Sequence, residues 1–347
     1  IVSTTYYRAE ITSGVCSQAF STSATITVNP MPVAVAGGSQ TICSTGTAIV
    51  SGASALNGSI LWTENGAGSI TAGATTLTPT YTAAAGDAGN SVILTMTVTS
   101  TNACAPQTAT ATYTVNVDAL PTAFAGGSQT ICSNGTALVS GATATNGIIS
   151  WTENGAGSIT AGATTLTPVY TADAADAGTI VTLTMTVTSS NACTPQTATA
   201  TYTVTVDPLP IATAGGSQTI CSTGTATVSG AASANGTIAW TENGAGSITA
   251  GINTLTPTYT SVAADAGTTV TLTMIVTSNN TCVPQVATAT YSVIVNPASV
   301  GGSVTGGATV CSGTNSTLLT LSGQTGNVVK WQSSSNNWVT SVDIANT

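Results

Sequence analysis

Charged side chains are what this sequence most lacks. Only 4% of its 347 residues are charged, histidine is absent, and Arg8 and Lys330 are the only basic residues. Nucleic acids and anionic lipids are bound by neutralising phosphates with Lys and Arg, so we expect neither as a partner. Without histidine, Ser-His-Asp and Cys-His catalysis are excluded. We therefore predict that the chain is not an enzyme.

Long hydrophobic runs are also missing. No run of about 18 apolar residues occurs, so we predict no membrane insertion by this segment. The apolar residues alternate instead with Thr, Ser and Gly, and they recur at fixed positions. This regular alternation argues against disorder, the other interpretation of a chain rich in small polar residues.

A repeat organises the chain. The segment Trp-Thr-Glu-Asn-Gly-Ala-Gly-Ser-Ile begins at Trp62 and returns at Trp151 and Trp240, which gives a period of 89 residues. The period predicts three whole modules, here called repeat 1 (30–118), repeat 2 (119–207) and repeat 3 (208–296). Residues 1–29 are predicted to be the C-terminal part of a sandwich module, and residues 297–347 the N-terminal part of a second type of module; the resemblance described below implies that both are Ig-like.

The local patterns predict β-strands and no helix. In repeat 1, Val92, Leu94, Met96 and Val98 alternate with Thr residues, which is typical of a strand buried on one face. Asn57-Gly58 predicts a hairpin turn, and turn signals every 8–12 residues favour an antiparallel β-sandwich. We expect Trp62, Trp151 and Trp240 to be core anchors on central strands, and Pro79 to mark an edge strand. The short, proline-containing linkers predict sandwiches that follow one another end to end.

The eight cysteines indicate an oxidising, extracellular setting. Within each repeat two cysteines lie 61 residues apart, and this regularity predicts one intramodule disulfide per repeat: Cys43–Cys104, Cys132–Cys193 and Cys221–Cys282. Buried free thiols are the alternative. Cys16 and Cys311 belong to the two terminal part-modules. Joined tail to head, 297–347 and 1–29 would form one module of the second type with these two cysteines as its pair, so the chain is expected to be one period of a longer array.

These motifs resemble a known family. The Trp62 turn, Thr78-Pro79-Thr80-Tyr81-Thr82 and the Asp87-Ala-Gly turn are similar to those of PKD-type Ig-like domains. The flanking Val310–Asn315 motif and the Trp331 segment resemble another Ig-like repeat found beside them. The resemblance implies tandem repeats of very large cell-surface, adhesin-like proteins of Bacteroidota, including gliding-motility adhesins secreted by the type IX system.

The recurring acids offer a candidate metal site. Glu64 with Asp87, Glu153 with Asp176 and Glu242 with Asp265 occupy equivalent positions, and Asp118 lies in a linker. Calcium binding needs several oxygen ligands close together, and only Asp173 and Asp176 approach that density in sequence. We therefore expect no calcium and no cofactor, and we attribute the Asp-Ala-Gly turn to ordinary turn chemistry.

Three functions remain open. The favoured one is a stalk or filament segment that spaces an adhesive or anchoring element from the cell surface. The second is an adhesin module that binds glycans or surfaces, although no exposed aromatic strip supports it. The third is a self-assembling fibre or sheath, because uncharged strand edges are open to lateral pairing. The expected partners are further repeats of the same chain.

Overall fold

The computed structural model describes residues 1–313 and 316–345. Thr314 and Asn315, which end the Val310–Asn315 motif, and the last two residues of the predicted C-terminal part-module lie outside the described residues. The described chain is built of β-strands and three short 3-10 helices (Ala85–Asp87, Ala174–Asp176 and Ala263–Asp265). None of its helices is long and apolar enough to span a membrane.

Contacts divide the chain into two compact units, and repeat 2 contributes to both. The first unit consists of Ile1–Gln129, Ala137–Thr171 and Val181–Val204. The second consists of Thr130–Thr136, Ala172–Ile180 and Thr205–Thr347.

The strands of the three repeats recur at equivalent positions. Those of repeat 1 are β5 (Val33–Val35), β6 (Ser39–Cys43), β7 (Thr47–Ile49), β8 (Ser54–Leu56), β9 (Gly58–Glu64), β10 (Ser69–Ala72), β11 (Thr80–Thr82), β12 (Ser91–Ser100) and β13 (Thr108–Asp118). Those of repeat 2 are β14 (Thr122–Phe124), β15 (Ser128–Cys132), β16 (Thr136–Leu138), β17 (Thr143–Thr145), β18 (Gly147–Glu153), β19 (Ser158–Ala161), β20 (Val169–Thr171), β21 (Ile180–Ser189) and β22 (Thr197–Asp207). Those of repeat 3 are β23 (Ile211–Thr213), β24 (Ser217–Cys221), β25 (Thr225–Thr227), β26 (Ala232–Ala234), β27 (Gly236–Glu242), β28 (Ser247–Ala250), β29 (Thr258–Thr260), β30 (Thr269–Ser278) and β31 (Val286–Asn296).

The terminal segments form only short strand pairs. The N-terminal segment holds β1 (Thr5–Tyr7), β2 (Glu10–Ile11), β3 (Ala19–Phe20) and β4 (Ala24–Ile26), where β1 pairs with β4 and β2 with β3. The C-terminal segment holds β32 (Ser303–Thr305), β33 (Thr320–Ser322), β34 (Trp331–Ser333) and β35 (Val342–Ile344), where β32 pairs with β33 and β34 with β35.

Repeat 1 shows the Ig-like sandwich. Its larger sheet has the order β6-β13-β12-β9, in which β6 runs parallel to β13 and the other neighbours are antiparallel. The smaller sheet has the order β10-β11-β7, and β5 pairs with β8. Repeat 3 has the same pairing, with β24 parallel to β31. Two such sheets packed on a shared apolar core make each a sandwich of the immunoglobulin type.

The core follows the predicted alternation. Along β12, Val92, Leu94, Met96 and Val98 are buried, while the intervening residues are partly exposed. They pack with Tyr81 and Trp62 in the core of repeat 1. Leu272, Met274 and Tyr259 take equivalent places in repeat 3.

Three local expectations were wrong. Asn57-Gly58 does not close a hairpin, because β8 pairs with β5 whereas β9 pairs with β12. Asn57 takes the left-handed conformation at φ 61° and turns the chain from one sheet to another. The strand after Pro79 is central in its sheet, since Pro79 precedes β11. Trp62, in contrast, lies on the outer strand β9 of the larger sheet, yet it is buried.

Candidate functional site at the junctions between repeats

The strand arrangement separates the two cysteines of a repeat. Cys43 ends β6 and lies opposite Asp118, the last residue of β13, in the parallel register. Cys104 lies in the loop before Thr108, where β13 begins. An 11-residue strand at ~3.3 Å per residue is roughly 35 Å long. Cys43 and Cys104 therefore lie at opposite ends of the sandwich, far beyond the Cα separation that a disulfide spans.

The disulfides consequently join neighbouring repeats, which corrects the predicted pairing. Cys43 bonds to Cys193, and Cys132 bonds to Cys282, with a sequence separation of 150 residues in each case. The expected pairs Cys43–Cys104, Cys132–Cys193 and Cys221–Cys282 are all excluded by these two bonds or by distance. The spacing misled because a periodic chain repeats an intermodule pair as regularly as an intramodule pair.

At the junction of repeats 1 and 2, a loop of the second repeat contacts the last residue of the first repeat and the linker. Sγ of Cys193 lies 3.4 Å from the carbonyl oxygen of Asp118. The backbone N–H of Ala192 donates to the Asp118 carboxylate at 2.9 Å. Asn191 donates from Nδ2 to the carbonyl of Ala119 at 3.0 Å, while its Oδ1 accepts from the Cys193 N–H at 2.9 Å. The same loop therefore holds the linker by hydrogen bonds and bonds covalently to Cys43.

The junction of repeats 2 and 3 has the same geometry. Sγ of Cys282 lies 3.5 Å from the carbonyl oxygen of Asp207. The Asp207 carboxylate accepts from the Thr281 hydroxyl at 2.7 Å and from its N–H at 3.1 Å. Asn280 donates to the carbonyl of Pro208 at 2.9 Å. Both bonded loop cysteines, Cys193 and Cys282, are only 2% exposed.

Two further positions show parts of the same junction. Before repeat 1, Sγ of Cys104 lies 3.4 Å from the carbonyl oxygen of Asn29, and Asn102 donates to the carbonyl of Pro30 at 3.1 Å. At the end of repeat 3, Cys221 lies opposite Asn296 in the parallel register, as Cys43 lies opposite Asp118. Cys104 is partly exposed and Cys221 is exposed, and neither is bonded to another cysteine of the described chain.

A buried carboxylate accepts hydrogen bonds from the backbone of the recurring Trp turn. Asp87 is 2% exposed and accepts four hydrogen bonds. The donors are the Tyr81 hydroxyl at 2.6 Å and the backbone N–H groups of Ala67, Gly68 and Ala84 at 2.7, 3.0 and 2.9 Å. Turn glycines are needed because a Cβ on Gly68 would lie against the Thr82 carbonyl and the Tyr81 hydroxyl.

Repeat 3 reproduces this anchor. Asp265 accepts from the Tyr259 hydroxyl at 2.8 Å and from the N–H groups of Ala245, Gly246 and Val262. In repeat 2, Asp176 accepts from the N–H of Asp173 at 2.9 Å. The aspartate of the Asp-Ala-Gly turn is therefore more than a turn former: its carboxylate holds the Trp turn in place.

The hydrogen bonds set the charge state of this anchor. Burial raises the pKa of Asp87, but the donors from Ala84, Tyr81, Ala67 and Gly68 outweigh burial and leave the pKa below its usual value. Burial, together with the hydrogen bond to Asp265, raises the pKa of Tyr259 to about 12. In the pairs Tyr81–Asp87 and Tyr259–Asp265, an ionised carboxylate thus accepts a hydrogen bond from a neutral phenol over the neutral pH range.

The tryptophan of each repeat is held in the core by a hydrogen bond of its own. Trp62, Trp151 and Trp240 are buried, and each indole N–H donates to a backbone carbonyl fourteen residues later, at 2.9, 2.9 and 2.8 Å. Within the described residues, no three His, Cys, Asp or Glu side chains form a cluster that could hold a metal ion. The linker acid Asp118, considered above as a calcium ligand, accepts instead from the loop of the next repeat.

Sequence reasoning missed the asparagines that donate to the linkers. Asn102, Asn191 and Asn280 each stand two residues before the second cysteine of their repeat. This constant spacing was a usable signal, because an Asn side chain can cap the following backbone N–H groups while its amide reaches another chain segment. What it could not reveal is that the other segment is the linker from the preceding repeat.

Comparison with known proteins gives one family match, to the ends of the chain. The model of a family described as "Domain of unknown function (DUF8696)" matches residues 1–30 and 300–347. No curated protein matches the chain.

Several solved structures are similar to this chain over most of its length. The I-band fragment I67-I69 from titin is 10% identical over 77% of this chain and 98% of its own, with a TM-score of 0.45. Drosophila N-cadherin EC1-4 is 12% identical over 84% of this chain and 82% of its own, with a TM-score of 0.35. The N-terminal four Ig domains of Dscam1 isoform 7.44 are 10% identical over 80% of this chain and 77% of their own, with a TM-score of 0.28.

Proposed function

We propose that the chain is a structural spacer outside the cell, a segment of a stalk or filament shaft that holds an adhesive or anchoring element away from the surface. The observation that carries this proposal is that both described disulfides join one repeat to the next. The specific setting, a large cell-surface protein of Bacteroidota exported by the type IX system, rests on the sequence resemblance and is part of the proposal.

The braced junction suits a mechanical task. Two domains joined by a linker alone behave as a hinge, since inter-domain motion is the default when the shared surface is small. Here the disulfide Cys43–Cys193 is a second covalent connection between repeats 1 and 2, beside the linker. Asn191 and Ala192 of repeat 2 also donate hydrogen bonds to the linker. Attachment at several points removes the freedom to swivel, so bending at the junction would require these bonds to break.

The composition suits an exposed extracellular position. Disulfides persist in oxidising compartments, which favours a location outside the cytoplasm. The surface is polar through Thr and Ser hydroxyls rather than ions, so salt would change its interactions little. Arg8 and Lys330 are the only sites for a trypsin-like protease, and both lie outside the repeats.

Single-molecule fluorescence across a junction tests the spacer role. Dyes would be attached through non-canonical amino acids at Leu61 and Leu138, which are exposed. We expect a narrow distance distribution in the oxidised chain and a clearly broader one in Cys43→Ser. Cys104→Ser is the matched control, because it removes a cysteine outside this disulfide, and it should keep the narrow distribution.

Equal widths in the oxidised chain and in Cys43→Ser would contradict the proposal, because a spacer of this kind depends on the brace. Titration of the oxidised chain with bacterial and plant polysaccharides separates the main alternative. A spacer shows no saturable binding, whereas a glycan-binding module gives a saturating binding isotherm with at least one of these polysaccharides.

A further inference from the structure

We infer that repeat 2 binds a second copy of this chain through strand β18, whose outer edge pairs antiparallel with the same edge of the other copy. The two-fold axis of this pair passes beside Ile148. The interaction goes beyond the proposed spacer role, because a shaft can act as a single chain, whereas pairing of this kind joins two shafts side by side.

The backbone of β18 presents hydrogen-bonding groups on the side that faces away from β21. This strand is the outer one of its sheet, which has the order β15-β22-β21-β18. Trp151 lies opposite Met185 of β21, but its N–H donates in the other direction, to the carbonyl of Ala163 at 2.8 Å. In an antiparallel pair, the direction of the backbone groups alternates from residue to residue. Gly147 and Ile149 therefore direct their N–H and C=O groups outward, as Trp151 does.

Only the Trp151 end of this edge is covered by another segment. In the described part of the chain, the outward groups of Gly147 and Ile149 form no backbone hydrogen bond outside the β18–β21 pair. The equivalent edge of repeat 3 opens onto a groove of about 580 Å³, lined by Gly236, Thr237, Ile238 and Asn253. A paired strand lies ~4.8 Å from its neighbour, so a groove of this size has room for one.

Strand β18 lacks the features that keep edge strands apart. Natural proteins protect such edges with lysine, proline or a bulge. The strand reads Gly-Ile-Ile-Ser-Trp-Thr-Glu, and its register with β21 runs without a bulge from Gly147 to Glu153. Ile148, in the uncovered part of the edge, is 67% exposed. Pairing with another strand would remove apolar surface of this side chain from water, which favours association.

A second copy fits this edge because β18 is complementary to itself. With the two-fold axis at Ile148, Gly147 of each copy lies opposite Ile149 of the other, and the two residues exchange both backbone hydrogen bonds. The two Ile148 side chains become neighbours in a non-hydrogen-bonded pair, with Cα atoms about 4.5 Å apart. Each copy thus supplies the donors, acceptors and apolar contact that the other exposes.

The charges of the two copies do not oppose this pairing. Glu153 is the only charged residue of β18. In the two-fold pair, the two Glu153 residues lie about ten positions apart along the strands, which at ~3.3 Å per residue is roughly 33 Å. That separation exceeds the Debye length of about 8 Å at physiological salt, so their repulsion is screened.

The edge is also ordered before it binds. A flexible peptide from another protein would lose backbone conformational entropy when it became the added strand. The β18 strand of a second copy is already extended and held by β21, so it avoids most of this loss. A second copy is therefore the occupant that the edge favours.

Sedimentation equilibrium of the full oxidised chain tests the interface. Ile148→Lys places two like charges side by side at the two-fold axis and should weaken association roughly tenfold or more. Ile180→Lys is the matched control, because Ile180 is 65% exposed and lies at the far end of β21 from Thr188, the residue opposite Ile148. It should leave the association constant unchanged. Both substitutions alter exposed side chains, so the repeats should fold, which circular dichroism can verify.

Cysteine trapping tests the register of the pair. In a background in which the four cysteines outside the two described disulfides are replaced by serine, Ile148→Cys should give a covalent dimer in a glutathione redox pair. The expected Cα separation of about 4.5 Å lies within the range that a disulfide spans. Ile180→Cys in the same background should give no covalent dimer.

Three results would overturn the inference. One is a chain that stays monomeric up to roughly 1 mM, the weak end of specific affinities, even if its edge binds an added extended peptide. Another is association that Ile148→Lys and Ile180→Lys weaken equally, or that neither weakens. The third is a covalent dimer that forms as readily with Ile180→Cys as with Ile148→Cys. None of these results would affect the junction brace, which the fluorescence experiment tests separately.

Discussion

Stretching the chain from its two ends should show how far the disulfides shorten its fully extended length. The shortest covalent path from Ile1 runs to Cys43, crosses to Cys193, returns along the chain to Cys132, crosses to Cys282 and continues to the C-terminus. That path contains about 170 residues of the 347. At ~3.4 Å per residue the oxidised chain should extend to about 600 Å, and the reduced chain to about 1,200 Å.

Variants make this prediction specific. In Cys43→Ser, one bond is lost but Cys132–Cys282 still shortens the path, so the extended length should rise by only about 90 Å. Cys104→Ser should leave the length unchanged, because Cys104 takes part in neither described disulfide. The assay is force spectroscopy on single chains between terminal handles, with and without a thiol reductant.

The same variants separate the two pairing schemes. If disulfides closed each repeat on itself, Cys104→Ser would release about 60 residues and lengthen the chain by about 200 Å. That result would refute the reasoning. Loss of one intermodule bond should also lower stability, because closing a loop of 150 residues contributes about 5 kcal/mol on the chain-entropy model.

Three further predictions concern the anchor of the Trp turn. Gly68→Ala should lower the free energy of unfolding by about 2–3 kcal/mol, because its Cβ would meet the Thr82 carbonyl and the Tyr81 hydroxyl; Gly37→Ala, with open space at its Cβ, is the control in denaturant titrations. Asp87 has a lowered pKa, so its stabilising contribution is present above about pH 4 and is lost as pH falls through its folded pKa; Asp87→Asn should flatten the acid limb of melting temperature against pH. Tyr259 has a raised pKa, so its contribution is complete below about pH 10 and is lost as pH rises toward about 12, and Tyr259→Phe should reduce this alkaline loss of melting temperature.

Much of the fold could be predicted from the sequence, because strand burial depends on a pattern with a period of two. Val92, Leu94, Met96 and Val98 are buried as the alternation indicated. The all-β class and the tandem sandwiches follow from that pattern and from the 89-residue period, and the sequence resemblance added that the sandwiches are Ig-like. Such features are local or strictly repeated, so a single chain displays them.

The pairing of the cysteines could not be predicted, since it depends on strand direction. Spacings of 61 and 150 residues recur equally well in a periodic chain. What decides between them is that β6 runs parallel to β13 and places Cys43 beside Asp118, at the opposite end from Cys104. Parallel pairing of strands so distant in sequence leaves no local signal.

The structural role of the buried Asp87 could not be predicted for a related reason. In sequence, Asp-Ala-Gly is ordinary turn chemistry, and its aspartate is not distinguished from a surface residue. Its partners Ala67, Gly68 and Tyr81 come from other parts of the repeat. Only the folded sandwich brings them to one carboxylate.

Disulfide mapping of the oxidised chain tests the central claim most directly. Because only Arg8 and Lys330 are available to trypsin, digestion with pepsin at acid pH is suitable, and low pH also suppresses thiol exchange. The loop cysteines are distinguished by the residues that follow them, Ala105, Thr194 and Val283. Residues 37–48 and 215–226 are identical, so a peptide that contains Cys43 should extend to Ile49 to be told from one that contains Cys221, which extends to Thr227. Mass spectrometry should find Cys43 linked to Cys193 and Cys132 linked to Cys282. Peptides linking Cys43 to Cys104 and Cys132 to Cys193 would contradict the braced junction.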